Sequence, residues 1–205
     1  MYIKIKRFAD MLLAIAGLVV LSPVFIILCV AIKFDSRGPI LFKQKRVSLN
    51  KNHFYILKFR TMKIDTPKDT PTHLLENPEQ YITSVGKFLR KTSLDELPQI
   101  WNIFVGEMSI IGPRPALWNQ YDLITERDKY GANNVLPGLT GWAQINGRDE
   151  LPIELKAKLD GEYVRKIGIW MDAKCFVRTI ASVIKSEGVI EGGTGAKEKK
   201  KVVTS

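Results

Sequence analysis

The sequence predicts an α/β chain, mostly helical with a small β hairpin or sheet, that opens with a re-entrant membrane helix-break-helix and carries amphipathic interfacial helices. Three observations predict it. Met11–Ile32 is a 22-residue run without a charge, interrupted by Ser22-Pro23. Pro39–Met62 alternates between apolar and polar residues, as paired strands do. From Leu151 onward apolar residues recur at helical spacing, as in Phe176, Val177, Ile180, Ala181 and Ile184.

The apolar run comes first. As a straight helix it would measure ~33 Å, enough to cross a hydrocarbon core of ~30 Å. Pro23 removes the N–H that the Val19 carbonyl would accept and clashes with that carbonyl, so a bend is expected there. The Ser22 hydroxyl can bond back to the Leu18 carbonyl and soften the loss. Both flanks are basic, with Lys4, Lys6 and Arg7 before the run and Lys33 and Arg37 after it. A single crossing therefore leaves positive charge on the disfavoured side. A helix that enters, turns near mid-depth and leaves on the same face avoids this. A plain spanning helix remains the simpler alternative.

The formal charge of +10 includes +3 from the tail Lys197–Ser205, which reads as disordered. A basic body favours an anionic partner: nucleotide, anionic lipid or nucleic acid. Two cysteines, Cys29 in the apolar run and Cys175 in a predicted helix, imply no disulfide framework and fit a reducing compartment.

Pro39–Met62 is predicted as two strands with a turn at Ser48–Asn52. Its basic residues, Lys58 and Arg60 among them on one strand face, are interleaved with aromatics. Single-strand nucleic-acid binders share that mixture, so a basic binding module is a rival reading. Ile64–Pro78, with three prolines, reads as a loop. Tyr81–Lys91 is predicted helical through Ile82, Val85 and Leu89.

Thr92–Pro115 carries the strongest chemical signal. Ser93-Leu94-Asp95-Glu96 fits a capping box, with Leu97, Ile100, Trp101 and Phe104 at helical spacing behind it. Pro98 favours Asp95 as the cap, because it then falls within the first turn. Asp95 and Glu96 can be helix-capping acids alone. They can equally hold a divalent cation and face a phosphate, with the helix terminus favouring an ionised Asp95. Eighteen residues after Glu96, Arg114 stands between Pro113 and Pro115, which restrict its backbone and pre-position it for a phosphate. Arg148 follows the turn pair Asn146-Gly147. These are parts that phosphoryl transfer requires. Ala116–Lys129 is predicted helical, and Val135–Arg148 Gly-rich and strand-like around Trp142–Ile145. Trp170 and Phe176 read as packing or interfacial anchors, and His53 and His73 as structural. No P-loop, HExxH, CxxC or GxGxxG pattern occurs.

These motifs, in this order, resemble the small monotopic phosphoglycosyl transferases, also called bacterial sugar transferases. They are Lys6-Arg7-Phe8-Ala9-Asp10, Ser22-Pro23, Gly38-Pro39-Ile40-Leu41-Phe42, Lys58-Phe59-Arg60-Thr61-Met62, Arg90 to Gln99, Gly112 to Pro115, Pro137 to Trp142, and Asn146-Gly147-Arg148. The match runs from about Lys6 to Ile184. The resemblance implies a re-entrant element over 1–36, a cytosolic catalytic domain over 37–190 and a basic tail over 191–205. It implies a monotopic protein on the cytoplasmic face of the bacterial inner membrane. That protein moves a sugar 1-phosphate from a UDP-sugar to undecaprenyl phosphate, releases UMP, and hands its product to downstream glycosyltransferases. Nucleic acid is not an expected partner.

On this resemblance Asp95 is the nucleophile that forms a covalent aspartyl phosphosugar, and Glu96 holds Mg²⁺ with it. Lys58, Arg60, Arg114 and Arg148 meet phosphate or nucleotide. The short chain most resembles the PglC-type subgroup that initiates bacterial protein N-glycosylation with UDP-N,N′-diacetylbacillosamine. Ser48 departs from the family's frequent glycine and puts the turn geometry there in question. Asp95 acting as a general base in a direct transfer is the alternative chemistry.

Overall fold

The computed structural model describes residues 1–66, 78–147 and 151–184. Most of the predicted 64–78 loop and all of the 191–205 tail lie outside these residues. The apolar run forms two helices, α1 (Tyr2–Val20) and α2 (Ser22–Asp35), bent by 62°. Among the described residues no single helix is long and apolar enough to cross a membrane, whereas the bent pair together has the length and composition. Leu21, at φ −87° and ψ 1°, is the joint, and Pro23 falls in the first turn of α2, where its missing N–H costs nothing. The Ser22 hydroxyl donates to the Val19 carbonyl at 2.8 Å, one residue closer than the expected Leu18. Because α1 stops at Val20, regular four-residue spacing no longer reaches Ser22.

One side of this pair is apolar and open: Leu12, Leu13, Val19, Val20, Ile26 and Ile27 are all exposed. The other side is bound to the rest of the chain. Ala14 packs with Phe54, Ile56, Ile103 and Met108. Three of the charges before the apolar run, Lys6, Arg7 and Asp10, have internal partners. Arg7 donates to the carbonyls of Ile103 (2.5 Å) and Phe104 (2.8 Å). Buried Asp10 accepts from the Ser109 hydroxyl at 2.6 Å, and Lys6 lies 2.8 Å from Asp172.

The predicted hairpin forms as β1 (Leu41–Val47) antiparallel to β2 (His53–Phe59), with Phe42 opposite Lys58 and Arg46 opposite Phe54. Ser48 needs no glycine-like conformation: its backbone is extended, and the positive φ values fall at Asn50 and Lys51. Its hydroxyl donates to the Glu107 carbonyl. Next comes α3 (Ser84–Thr92), which begins three residues later than predicted because the Thr83 side chain caps it by accepting from the Gly86 N–H. Helix α4 spans Gln99–Val105.

A three-residue strand, β3 (Ser109–Ile111), pairs in parallel with β4 (Gly138–Thr140). This corrects the strand expected around Trp142–Ile145, where the chain turns and forms a short 3₁₀ segment at Gln144–Asn146. Glycine is required in β4 because a Cβ on Gly138 would lie 2.1 Å from the Gly112 nitrogen. The helix expected over 116–129 contracts to α5 (Tyr121–Asp128), since Leu117 bridges to Arg46 and its N–H bonds the Gln120 side chain. Two helices close the described chain, α6 (Ile153–Arg165) and α7 (Ile169–Ile184). A buried Arg127–Asp160 pair at 2.6 Å joins α5 to α6. Helix α7 buries Met171 and Cys175 and leaves Trp170, Phe176, Val177 and Ile180 exposed, so its apolar stripe faces outward.

The joint generates the first expectation. Pro23→Ala restores a continuous hydrogen-bond ladder and is expected to straighten the pair. In vesicles, a thiol probe at Lys4→Cys should then label from the side opposite the hairpin. Labelling from the same side as in the parent would contradict the role given to Pro23.

Candidate active site

Four of the residues singled out by sequence converge. Lys58 comes from the end of β2, Asp95 and Glu96 from the turn between α3 and α4, and Arg114 from the segment after β3. The turn is set by Ser93, whose φ of 56° and ψ of 17° end α3 in the left-handed region. Leu94–Glu96 then form one 3₁₀ turn. Leu94 and Leu97, which bracket the two acids, pack against a cluster of Leu28, Ile32, Phe59 and Leu89. That packing fixes the turn from both sides.

The expected helix cap is therefore corrected. Neither Ser93 nor Asp95 caps α4; Pro98 occupies that position, where a missing N–H is harmless. Asp95 gains no help from a helix terminus.

Glu96 is the centre of the cluster. Its Oε1 accepts from Lys58 Nζ at 2.7 Å and from Arg114 Nη2 at 2.6 Å, and Oε2 lies 3.5 Å from Arg114 Nη1. Burial pushes the Glu96 carboxyl up, but Arg114 and Lys58 together outweigh it and hold the group well below the usual carboxylate range. Asp95 is different. Its Oδ2 is 4.0 Å from Lys58 Nζ, and it accepts no hydrogen bond among the described residues. Burial raises its carboxyl above the ordinary value against the pull of Lys58. Its side chain is 13% exposed against 35% for Arg114, so the acid is the more buried of the two.

The backbone on either side of Arg114 is fixed by hydrogen bonds to its two prolines. The Pro113 carbonyl accepts from the Gly138 N–H at 2.9 Å, and the Pro115 carbonyl accepts from Arg46 Nη1 at 3.0 Å. Arg60 does not join the cluster. It is buried past the end of β2 and donates to the Ser36 carbonyl (2.7 Å), the Ser36 hydroxyl and the Arg37 carbonyl, closing the C-terminal end of α2. Arg148 lies outside the described residues.

Two residues near the cluster carried no assignment from sequence. Arg90 donates to the Thr61 hydroxyl at 2.9 Å, and its charge helps lower the Asp95 carboxyl. Gln99 is wholly buried, four residues beyond Asp95. Its helical offset from Asp95 was the available signal.

For a cation, no group of three or more His, Cys, Asp or Glu side chains gathers among the described residues. Mg²⁺ commonly uses one or two carboxylates and completes its shell with water and substrate phosphate. The hard oxygens of Asp95 and the loosely held Glu96 Oε2 fit that minimal set. The arrangement as a whole suits a phosphoryl group: fixed cations beside a carboxylate that no donor has claimed.

The chain matches the bacterial sugar transferase family over residues 1–186. It is 36% identical over 190 residues to a UDP-glucose:undecaprenyl-phosphate glucose-1-phosphate transferase of Xanthomonas campestris pv. campestris, covering 89% of this chain and 39% of that protein. A protein of the same description from Escherichia coli (strain K12) is 40% identical over 184 residues, covering 86% of this chain and 39% of its own length. The chain thus spans about two fifths of these relatives. The uncharacterized sugar transferase EpsL of Bacillus subtilis (strain 168) is 37% identical over 185 residues, covering 90% of each chain.

The two acids should respond oppositely to neutralisation. A raised Asp95 carboxyl favours folding below the ordinary aspartate range, and that contribution is lost as pH rises through its folded value. Asp95→Asn should therefore leave the thermal midpoint at pH 7 unchanged or higher. The depressed Glu96 carboxyl stabilises the fold above the ordinary glutamate range, and the contribution is lost on acidification. Glu96→Gln should cost about 2 kcal/mol at pH 7, because Lys58 and Arg114 lose their shared counterion. Thermal melts at pH 7 of both variants check the pair; a lower midpoint for Asp95→Asn would contradict it.

Proposed function

The chain belongs to the bacterial sugar transferase family, and on that premise we propose that it moves a sugar 1-phosphate from a UDP-sugar to undecaprenyl phosphate with release of UMP. The observation that carries the reading is the contrast within the acid pair. Glu96 is committed to Lys58 and Arg114, whereas Asp95 lies beside the same cations without a hydrogen-bond donor of its own among the described residues. An Asp95 oxygen attacks the sugar-bearing phosphorus, the bond from that phosphorus to the UMP oxygen breaks, and UMP leaves with the electron pair. The aspartyl phosphosugar is then attacked by an oxygen of the lipid phosphate, which forms the diphosphate link and returns the carboxylate.

Lys58 and Arg114 lie where they can offset the negative charge of the diphosphate. Asp95 and Glu96 Oε2 are the residues that would hold Mg²⁺, which when bound supplies further charge neutralisation. The raised carboxyl of Asp95 also suits a general base, so direct transfer is the second mechanism.

A lipid acceptor requires a membrane site. The bent α1–α2 pair reads as a re-entrant element, because its apolar side is exposed while its charged N-terminal residues are held within the fold. The outward stripe of α7 supports an interfacial seat beside it. We place the protein on the cytoplasmic face of the bacterial inner membrane. Two donors are in view. The subgroup resemblance favours UDP-N,N′-diacetylbacillosamine and a start to protein N-glycosylation, and the names of the two relatives above favour UDP-glucose.

Lipid-reconstituted protein with Mg²⁺, undecaprenyl phosphate and a panel of UDP-sugars is expected to release UMP with one donor. UDP instead would mean ordinary glycosyl transfer and would overturn the reading. Asp95→Asn should lower release at least ~10³-fold while membrane association persists, and EDTA should abolish release until Mg²⁺ is restored. Donor alone should label the parent at Asp95; turnover without label would select the general-base mechanism.

A further inference from the structure

Helix α4 carries three buried residues on the face toward the hairpin: Gln99, Asn102 and Ile103. Asn102 shows what a satisfied amide looks like here. Its Oδ1 accepts from the Leu57 N–H at 3.0 Å, and its Nδ2 donates to the Tyr55 carbonyl at 2.9 Å and to Glu107 at 2.7 Å. Gln99, three residues earlier, is 0% exposed, yet neither Oε1 nor Nε2 has a hydrogen-bond partner among the described residues. A buried primary amide left this way opposes folding, and an apolar residue of the same shape would remove the penalty.

Gln99 follows Asp95 by four residues, through one 3₁₀ turn and the two residues that lead into α4. Leu97 N–H bonds the Leu94 carbonyl, Ile100 N–H that of Leu97, and Trp101 N–H that of Pro98, each three residues back, so Gln99 begins α4 little more than one turn beyond Asp95. Two groups of complementary need therefore sit about one turn apart along the chain. One is an amide without partners, and the other is a carboxylate to which no described residue donates.

We propose that Gln99 is a positioning residue for the Asp95 carboxylate: in the donor-loaded enzyme its Nε2 donates to one Asp95 oxygen and leaves the other aimed at phosphorus. The inference rests on the transfer reading above. A free carboxylate rotates between two equivalent oxygens, and a single donor on one of them fixes the plane of attack. The unmet amide is then a cost in the resting fold that is recovered during the reaction.

The test uses the full chain in lipid with the UDP-sugar that releases UMP, and compares the parent with Gln99→Met, which keeps length and volume but removes the amide. Adduct formation from donor alone, at saturation, should slow roughly 30-fold, the loss of about 2 kcal/mol for a hydrogen bond to a charged group. Donor KM should stay within about twofold, and the thermal midpoint should not fall, because an unsatisfied buried amide has been removed. Adduct formation within about threefold of the parent overturns the proposal, as does a loss confined to KM. A midpoint lowered in both Gln99→Met and Gln99→Leu also overturns it, since the amide would then already be satisfied. A parent that releases UMP beside an unimpaired Gln99→Met removes the positioning role alone. A parent inert with every donor removes the transfer reading as well.

Discussion

One oxygen of Glu96 holds the candidate site together. Lys58 and Arg114 belong to segments 56 residues apart in sequence, and both donate to that oxygen within 2.7 Å. Without the carboxylate, two partly buried cations would repel one another. With it, the hairpin, the turn before α4 and the Gly112–Pro115 segment meet at one point. The net stability of such a triad is modest, because desolvation offsets much of the attraction. Its effect is geometric: both cations are fixed beside Asp95, and no described residue uses the hydrogen-bonding capacity of Asp95.

Helix α4 transmits the position of the membrane-type helices to that point. Its first residues follow directly from the acid turn, and its last carbonyls are gripped by Arg7 of α1. Gly106, at φ +96°, ends the helix where an added Cβ would lie 3.1 Å from the Arg7 guanidinium. Between these ends, Ile100 packs toward Gly17 and Ile103 joins the cluster around Ala14. Helix α4 is therefore packed against α1 along its length, and the acid turn is joined directly to its first residues.

Elements that announce themselves by local pattern were legible in the sequence. The hairpin follows from its alternation, and the break in the apolar run from Ser22-Pro23. The convergence of Asp95, Glu96, Lys58 and Arg114 was legible only as a set of motifs in order. Features decided by tertiary packing were not. Nothing local to Ser93 demands the left-handed region; Leu94 and Leu97 impose it by packing with residues of α2, β2 and α3. Arg60 shares its strand pattern with Lys58, yet the carbonyls that capture it belong to Ser36 and Arg37. Strand β4 is three residues long and exists because β3, 27 residues earlier, offers a parallel edge. Lys6 and Asp10 read as flanks to an apolar run, because their partners Asp172 and Ser109 lie far along the chain.

The same packing that hides the turn from sequence also sets its depth. Leu94 and Leu97 rest against Leu28 and Ile32, the inner residues of α2. The acids between them are thus fixed to α2, the second half of the bent pair. On the proposed re-entrant topology this holds Asp95 near the level where a lipid phosphate lies. The acceptor's chain can then remain in the bilayer while its head reaches the adduct. A spanning helix would fix only one end of the chain to the interface and leave the depth of the turn to the linker. On the proposed topology, the bend at Leu21 and the two leucines beside the acids are two parts of one positioning device.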